Sequence, residues 1–75
     1  METNIENILV FATNIKTKED KNKIDFVLSK VKGIIQWNID QEDVDCVLRI
    51  VSKTLFPQQI IDVITFYNFH CKELD

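Results

Sequence analysis

Apolar residues recur along this chain in two spacings, a short alternating one and one that repeats every three to four positions. Stretches of the first kind predict four strands, at residues 8–14, 34–40, 46–52 and 69–74. Stretches of the second kind predict two helices, at residues 17–32 and 57–67. The apolar stripes of the two helices are Ile24, Val27, Leu28 and Val31, and then Ile60, Ile61, Ile64 and Tyr67.

Residues that favour helix ends lie at the boundaries of these stretches. Thr17 is a predicted N-cap, and Asp20 stands three positions later, where a capping box has its acidic residue. Gly33, the only glycine of the chain, follows the first helix where a left-handed terminator belongs, and Asn68 has the corresponding place after the second. Pro57 suits a first helical turn. These signals support the helix boundaries that the apolar spacing predicts.

The predicted order is strand, helix, strand, strand, helix, strand, which is the split βαβ, or ferredoxin-like, plan. Each helix has one apolar stripe and each strand has one clearly apolar face. A two-layer α+β sandwich is therefore expected, with both helices on one face of a four-stranded antiparallel sheet. A chain of 75 residues is expected to form one domain, residues 1–75.

Charge and composition narrow the function classes. The formal net charge is −3, which gives no reason to expect nucleic acid as a partner. No apolar run is long enough for insertion into a membrane, and Glu2 and Glu6 are acidic where a signal peptide is basic. A reducing, cytoplasmic location is expected, in which Cys46 and Cys71 stay unpaired.

Candidate chemistry is sparse. The single histidine, His70, has no nucleophile in phase with it, and no glycine-rich phosphate loop exists, so an enzyme is not expected and no cofactor is indicated. Cys46 and Cys71 fall on the predicted inner faces of their strands, where thiols act as small apolar groups. Whether a metal ion binds through Cys46, His70 or Cys71 stays open on this reasoning.

The polar turn at residues 41–45 joins the second and third strands as a hairpin. Together with Asp40 it is rich in carboxylates, but an EF-hand loop would need glycine at Asp45 and glutamate at Val51. A solvated turn that discourages pairing of sheet edges is expected, with a weak Ca²⁺ or Mg²⁺ contact as the alternative.

A framework of turn and apolar residues resembles that of the heavy-metal-associated (HMA) domain family, found in copper chaperones and in metal-transporting ATPases. That family has a strand, then Gly-Met-x-Cys-x-x-Cys, a helix, and Gly-Val at the second strand. Gly33-Ile34 matches the Gly-Val pair, and counting back thirteen residues puts the second cysteine at Asp20 and the first at Thr17. The Gly-Met pair falls on Asn14-Ile15. Further matching positions are Ile24, Leu28, Val31, Ile60, Ile64 and Asn68-Phe69.

The resemblance implies a sheet order of fourth, first, third and second strand, and a loop that in the family binds Cu(I) or Zn(II) through two thiolates. Here Thr17 and Asp20 offer hard oxygen atoms instead, and Lys16 and Lys18 add repelling positive charge. Ile15 can still fill the core beneath the loop, as the family's methionine does. The metal-loop positions Ile15, Thr17 and Asp20 are therefore interpreted as degenerate, and no metal is expected there.

The family register implies that Val10 and Ala12 face the helices. Five apolar residues should then lie on the opposite, open side of the sheet and form a patch: Leu9, Phe11, Ile35, Val47 and Val51. A contiguous apolar patch of this kind often marks an interface. The alternative is that these are scattered hydrophobic residues without a role, or that residues 1–7 partly cover the patch. Phe26, Val63 and Phe66 fall off the inner helix stripes, and either pack between the helices or add outer apolar surface.

Two function classes follow. The first is a small non-enzymatic HMA-like module, without a loop metal site, that forms a homodimer or binds a protein partner through the open sheet face. The alternative is a metal-ion binding or transfer protein, copper-chaperone-like, that uses non-standard ligands.

Overall fold

Strands and helices follow one another in the predicted order in the computed structural model, which describes residues 7–74. The elements are β1 (Asn7–Thr13), α1 (Lys18–Leu28), β2 (Ile34–Asp40), β3 (Val47–Ser52), α2 (Pro57–Phe66) and β4 (Cys71–Glu73). All six predicted elements are present. The largest differences are that α1 ends at Leu28 and not at residue 32, and that β4 begins at Cys71 and not at residue 69.

The end of α1 is set by tight turns and by the glycine that follows. The amides of Lys30 and Val31 donate to the carbonyls of Val27 and Leu28, three residues back, so the last turn is narrower than an α-helix. Gly33 has a φ of 101°. A Cβ atom at this position would lie 2.9 Å from Thr54 Oγ1. Both the backbone conformation and the close approach therefore require glycine here.

The second helix is bounded as predicted. Pro57 begins α2, and the amide of Phe56 just before it donates to Gln59 Oε1 at 2.7 Å. Beyond the helix, Asn68 has a φ of 71°, and the amide of Phe69 donates back to the carbonyl of Ile64. Asn68 thus reverses the chain toward β4, as asparagine tolerates the left-handed conformation.

The sheet has the order β2-β3-β1-β4, and every neighbouring pair is antiparallel. This is the ferredoxin-like order that the resemblance implied. The β2–β3 ladder is irregular at its start: Ile34 pairs with Ser52 and Gln36 pairs with Val51, which leaves Ile35 as an additional residue. Neither helix among residues 7–74 is long and apolar enough to cross a membrane.

Both helices pack on one face of the sheet and form the core with it. Side chains from the middle strands meet the inner stripes of both helices there. The core consists of Leu9, Phe11, Ile15, Ile24, Leu28, Leu48, Ile50, Ile60 and Ile64. Trp37 and Ile39 on β2 and Phe69 before β4 are half-buried against this cluster.

The predicted phase of β1 is wrong by one residue. Leu9 and Phe11 pair with Ile50 and Leu48 in the core, and Phe11 is 0% exposed. Val10 and Ala12 are on the opposite side of the sheet. A shift by one position moves every side chain of a strand to the other face, so the error exchanges the whole inner and outer set. Burial of the aromatic ring of Phe11 favours the observed phase, because it removes more apolar surface from water than burial of Val10 would.

Candidate functional site

The loop between β1 and α1 ends in a complete helix cap. Thr17 has an extended backbone, with φ −104° and ψ 166°, and its Oγ1 accepts the amide of Asp20 at 2.9 Å. Asp20 Oδ2 in turn accepts the amides of Thr17 and Lys16, each at 3.2 Å. The two side chains at the positions of the family's cysteines are thus both bonded to backbone amides at the start of α1.

The charge of Asp20 is stabilised by this arrangement. The hydrogen bond from the Thr17 amide lowers the pKa of the Asp20 carboxyl from its usual value, with a smaller contribution from the Lys16 amide, while desolvation opposes the shift. The carboxylate also lies at the positive end of the α1 dipole. The folded start of α1 therefore favours the ionised form of Asp20.

The rest of the loop is held from three directions. Ile15 is buried in the core, and its amide donates to Thr13 Oγ1 at 3.2 Å. Gln41, in the hairpin after β2, donates from Nε2 to the carbonyls of Ile15 and Thr17 at 3.2 and 2.8 Å. Asn14 Oδ1 accepts the amide of His70 at 2.9 Å. These bonds tie the loop to the core, to the β2–β3 hairpin and to the segment before β4.

The donor atoms of this loop do not fit a soft metal ion. Cu(I) and Zn(II) sites of the family type need two thiolates, and Thr17 and Asp20 supply a hydroxyl and a carboxylate that are already hydrogen-bonded. Within residues 7–74 no group of three or more histidine, cysteine or acidic side chains is placed to hold a metal ion.

The two cysteines lie on either side of Thr13 and are both unpaired. Cys46 is buried, with a φ of 43°, and its carbonyl accepts Thr13 Oγ1 at 2.7 Å. Cys71 pairs with Thr13 from the opposite strand and is half-buried against the core. Burial raises the pKa of the Cys71 thiol to about 12. Because the thiolate is the form that binds metals and attacks electrophiles, this shift disfavours the reactive form of Cys71 near neutral pH.

The acidic turn uses its carboxylates to shape the backbone. Asp40 Oδ1 accepts the amide of Glu42 at 3.1 Å, and Asp43 Oδ1 accepts the amide of Asp45 at 2.8 Å. Each is an Asx turn, in which an aspartate fixes the backbone two residues ahead. His70 is exposed to solvent and lies at the same end of the sheet as this turn, because its amide donates to Asn14 Oδ1 and the amide of the adjacent Thr13 donates to the carbonyl of Asp45.

The side of the sheet away from the helices is called the open face here, and it carries an apolar strip. Its members come from β1, from β3 and from the segment after β4. They are Ile8, Val10, Ala12, Val51 and Leu74. Ile8 is the most prominent of them, at 63% exposed. Polar side chains of β2 border the strip on one side, Lys72 borders it on the other, and Arg49 lies near its centre.

Only some of the residues predicted for the interface therefore lie on the open face. Val47 and Val51 lie on the open face, although Val47 is only 6% exposed. Ile35 is 51% exposed at the β2 irregularity, on the edge of the sheet. Leu9 and Phe11 are core residues, and their neighbours Ile8 and Val10 take their places on the open face.

A second apolar surface lies between the helices. Phe26 and Phe66 are 62% and 77% exposed, which settles that they add outer surface and do not pack into the core. The ring of Phe66 contacts Tyr67 edge to face, with centroids 5.1 Å apart, and Lys30 Nζ lies 4.1 Å from the Phe26 centroid. A groove of about 370 Å³ runs beside them, lined by Val27, Lys30, Val31, Asp62, Val63, Phe66 and Tyr67.

Comparison with solved structures identifies the architecture. The chain superimposes on the crystal structure of oxidized MerP from Ralstonia metallidurans CH34 with a TM-score of 0.80, over 95% of this chain and 100% of that one. The two share one fold. Their sequence identity is 8%, so the likeness to MerP concerns the HMA-like, ferredoxin-like fold. No family model matches the sequence, and no curated protein matches it either.

Two features of the site could not be predicted from the sequence. The bonds from Gln41 to the loop join residues that are 26 and 24 positions apart, and an isolated glutamine in a turn does not predict them. For the groove between the helices, the sequence shows only that some apolar residues lie off the inner stripes of the two helices. Its openness depends on how far apart the helices lie, which the periodicity of each helix does not specify.

Proposed function

We propose that this domain is a non-enzymatic protein-interaction module with an HMA-like fold, in which the metal-loop positions serve as a helix cap and the open face of the sheet binds a partner. The observation that carries the proposal is the reciprocal bonding of Thr17 and Asp20 to backbone amides. Because the loop then has a structural role, we assign the function to the apolar strip of the open face.

The loop supports the first half of this proposal through its chemistry. A metal ion at Thr17 and Asp20 would have to displace hydrogen bonds that begin α1, and would gain two hard oxygen ligands in return. Cys71, the less buried of the two thiols, is held in its protonated form by desolvation. A metal-ion binding or transfer role with non-standard ligands would therefore have to overcome an unfavourable donor set in the loop and a protonated thiol at Cys71.

The open face supports the second half. Apolar side chains there lie on adjacent strands, and no helix or strand among residues 7–74 covers this face, so that Ile8 in particular stays in contact with water. Burying such a strip against another protein is favourable by roughly 25 cal/mol for each Å² of apolar surface removed from water. Arg49 near the centre adds a residue type that is enriched in protein interfaces.

Site-specific photo-crosslinking in the cells from which the protein comes tests the proposal. A photoreactive aromatic residue is placed at Ile8 on the open face or, as the control, at Phe26 on the helical face, because these side chains are 63% and 62% exposed. Discrete adducts from the Ile8 position and none from the Phe26 position are expected. Adducts from Phe26 alone would show that the helical groove is the binding surface. No adducts from either position, both in cells and with the purified chain at millimolar concentration, would refute an interaction module.

A further inference from the structure

We propose that the partner on the open face is a second copy of this chain, packed face to face about a twofold axis that lies between the sheets and runs parallel to the strands. The inference rests on the proposed function, since it assigns the occupant of the same face. It is carried by the layout of charge across the sheet.

Opposite charges lie at the two ends of one rung of the sheet, where a rung means a row of residues paired side by side across the four strands. Asp40 on the β2 edge pairs with Val47, and Lys72 on the β4 edge pairs with Ala12. Val47 and Ala12 are neighbours, because the next rung joins Phe11 to Leu48. Four strands at a spacing of about 4.8 Å place the carboxylate and the ammonium roughly 14 Å apart across the sheet.

A twofold axis parallel to the strands exchanges the two edges while it keeps each rung at the same height. Asp40 of each copy then lies opposite the partner's Lys72, so one axis creates two equivalent ion pairs. An axis perpendicular to the strands would instead place β2 on the partner's β2, and Asp40 would face no cation there. The charge layout thus selects one of the two ways to stack the open faces.

The apolar residues agree with the same axis. Val51 pairs with Ile8 within one sheet, so the axis places Val51 opposite the partner's Ile8 and repeats that contact on the other side. Arg49 pairs with Val10 in the sheet, and its aliphatic stem meets the partner's Val10 in the same way. The row of Val51 and Ile8 and the row of Asp40 and Lys72 are therefore self-complementary, whereas the row of Arg49 and Val10 places one guanidinium group of each copy close to the axis, where like charges repel.

The charged side chains are positioned for this contact. Asp40 Oδ1 accepts the Glu42 amide at 3.1 Å, which orients the carboxylate and leaves Oδ2 without a partner among residues 7–74. Lys72 is exposed. Exposed ion pairs add little affinity by themselves, but like charges brought together oppose association strongly, so the pairs select the orientation while the apolar strip supplies affinity.

The size of the face predicts a weak dimer. Strands β1, β2 and β3 of six or seven residues and β4 of three residues, at about 3.4 Å per residue and about 4.8 Å apart, give a face of roughly 400 Å² per copy. This is below the ~800 Å² per partner of a standard interface. Association is therefore expected at high concentration, and the assay must extend into the millimolar range.

Charge exchange tests the axis directly. Asp40→Lys and Lys72→Asp are each examined alone and as an equimolar mixture by sedimentation equilibrium. Each variant alone should dimerise at least about tenfold more weakly than the unaltered chain, because two like-charge contacts form in its homodimer. The mixture should recover dimers, since a heterodimer has both ion pairs restored. Asp62→Lys on the helical face is the matched control and should leave dimerisation unchanged.

Three outcomes would overturn the inference. If the unaltered chain is monomeric at millimolar concentration, the partner is not a second copy. Crosslinked adducts from Ile8 whose mass differs from that of a homodimer would then still support the proposed function. Singly altered chains that dimerise normally would show that these charges do not face each other. A mixture that stays monomeric, with both variants folded by circular dichroism, would refute the axis.

Discussion

Replacing Phe11 with alanine is expected to remove about half of the stability of the domain, whereas the same change at the adjacent Val10 is expected to be mild. Phe11 is 0% exposed and lies in the core between the sheet and both helices. Truncation of a buried phenylalanine costs about 3–5 kcal/mol. A chain of 75 residues has a free energy of unfolding of roughly 4–11 kcal/mol at 0.05–0.15 kcal/mol per residue. Val10 is half-buried on the open face, so loss of its two methyl groups should cost about 1 kcal/mol or less.

Urea denaturation followed by circular dichroism measures both losses. For a domain of this size each kcal/mol also lowers the melting temperature by about 4–8 °C, so thermal melts give a second readout. The reasoning requires a clearly larger loss for Phe11→Ala than for Val10→Ala. Equal losses, or a larger loss at Val10, would mean that β1 has the opposite phase and that the open-face strip is misassigned.

Two further perturbations address the loop and the buried thiol. Thr17→Ala should lower the free energy of unfolding by about 1 kcal/mol, because the Asp20 amide loses its acceptor, while Lys18→Ala in the same turn should have little effect in the same urea titration. The pKa of Cys71 is raised from 9.0 to about 12 by burial, so its contribution to stability is complete below pH 9 and is lost as the pH rises toward 12. The unaltered chain should therefore lose more stability than Cys71→Ala between pH 8 and pH 11, and equal losses would contradict the assigned shift.

The phase of β1 shows where pattern reasoning fails. Residues 8–12 are all apolar, so period two cannot distinguish the inner from the outer face. The information lies in the partner strand, because Arg49 on β3 marks the open face and pairs with Val10. The sequence contains that signal only when the register between β1 and β3 is known, and register is a long-range property.

The end of α1 illustrates a milder limit. Val31 continues the apolar stripe of the helix and packs, half-buried, against the core, so its predicted place on the inner face is confirmed. The backbone nevertheless leaves the α-helical conformation after Leu28, because three-residue turns bring the chain to Gly33. The spacing of apolar residues indicates which residues face the core. It does not distinguish an α-helix from tight turns that continue in the same direction.

The local signals proved most reliable where one residue type has one conformational use. Thr17 and Asp20 form the predicted capping box, and Asn68 adopts the predicted left-handed conformation after α2. Both depend on interactions within five residues, which a sequence states directly. The bonds of Gln41 to the loop depend instead on the whole fold, and only the structure reveals them.

The claim that the loop is a helix cap and not a soft-metal site is tested most directly by competition for Cu(I). The reduced protein is titrated against a chromogenic Cu(I) chelator at submicromolar free metal, beside a variant with Thr17→Cys and Asp20→Cys that restores the family's spacing of thiols. The account predicts no withdrawal of Cu(I) by the unaltered chain and stoichiometric withdrawal by the double variant. Withdrawal of one equivalent by the unaltered chain would contradict it.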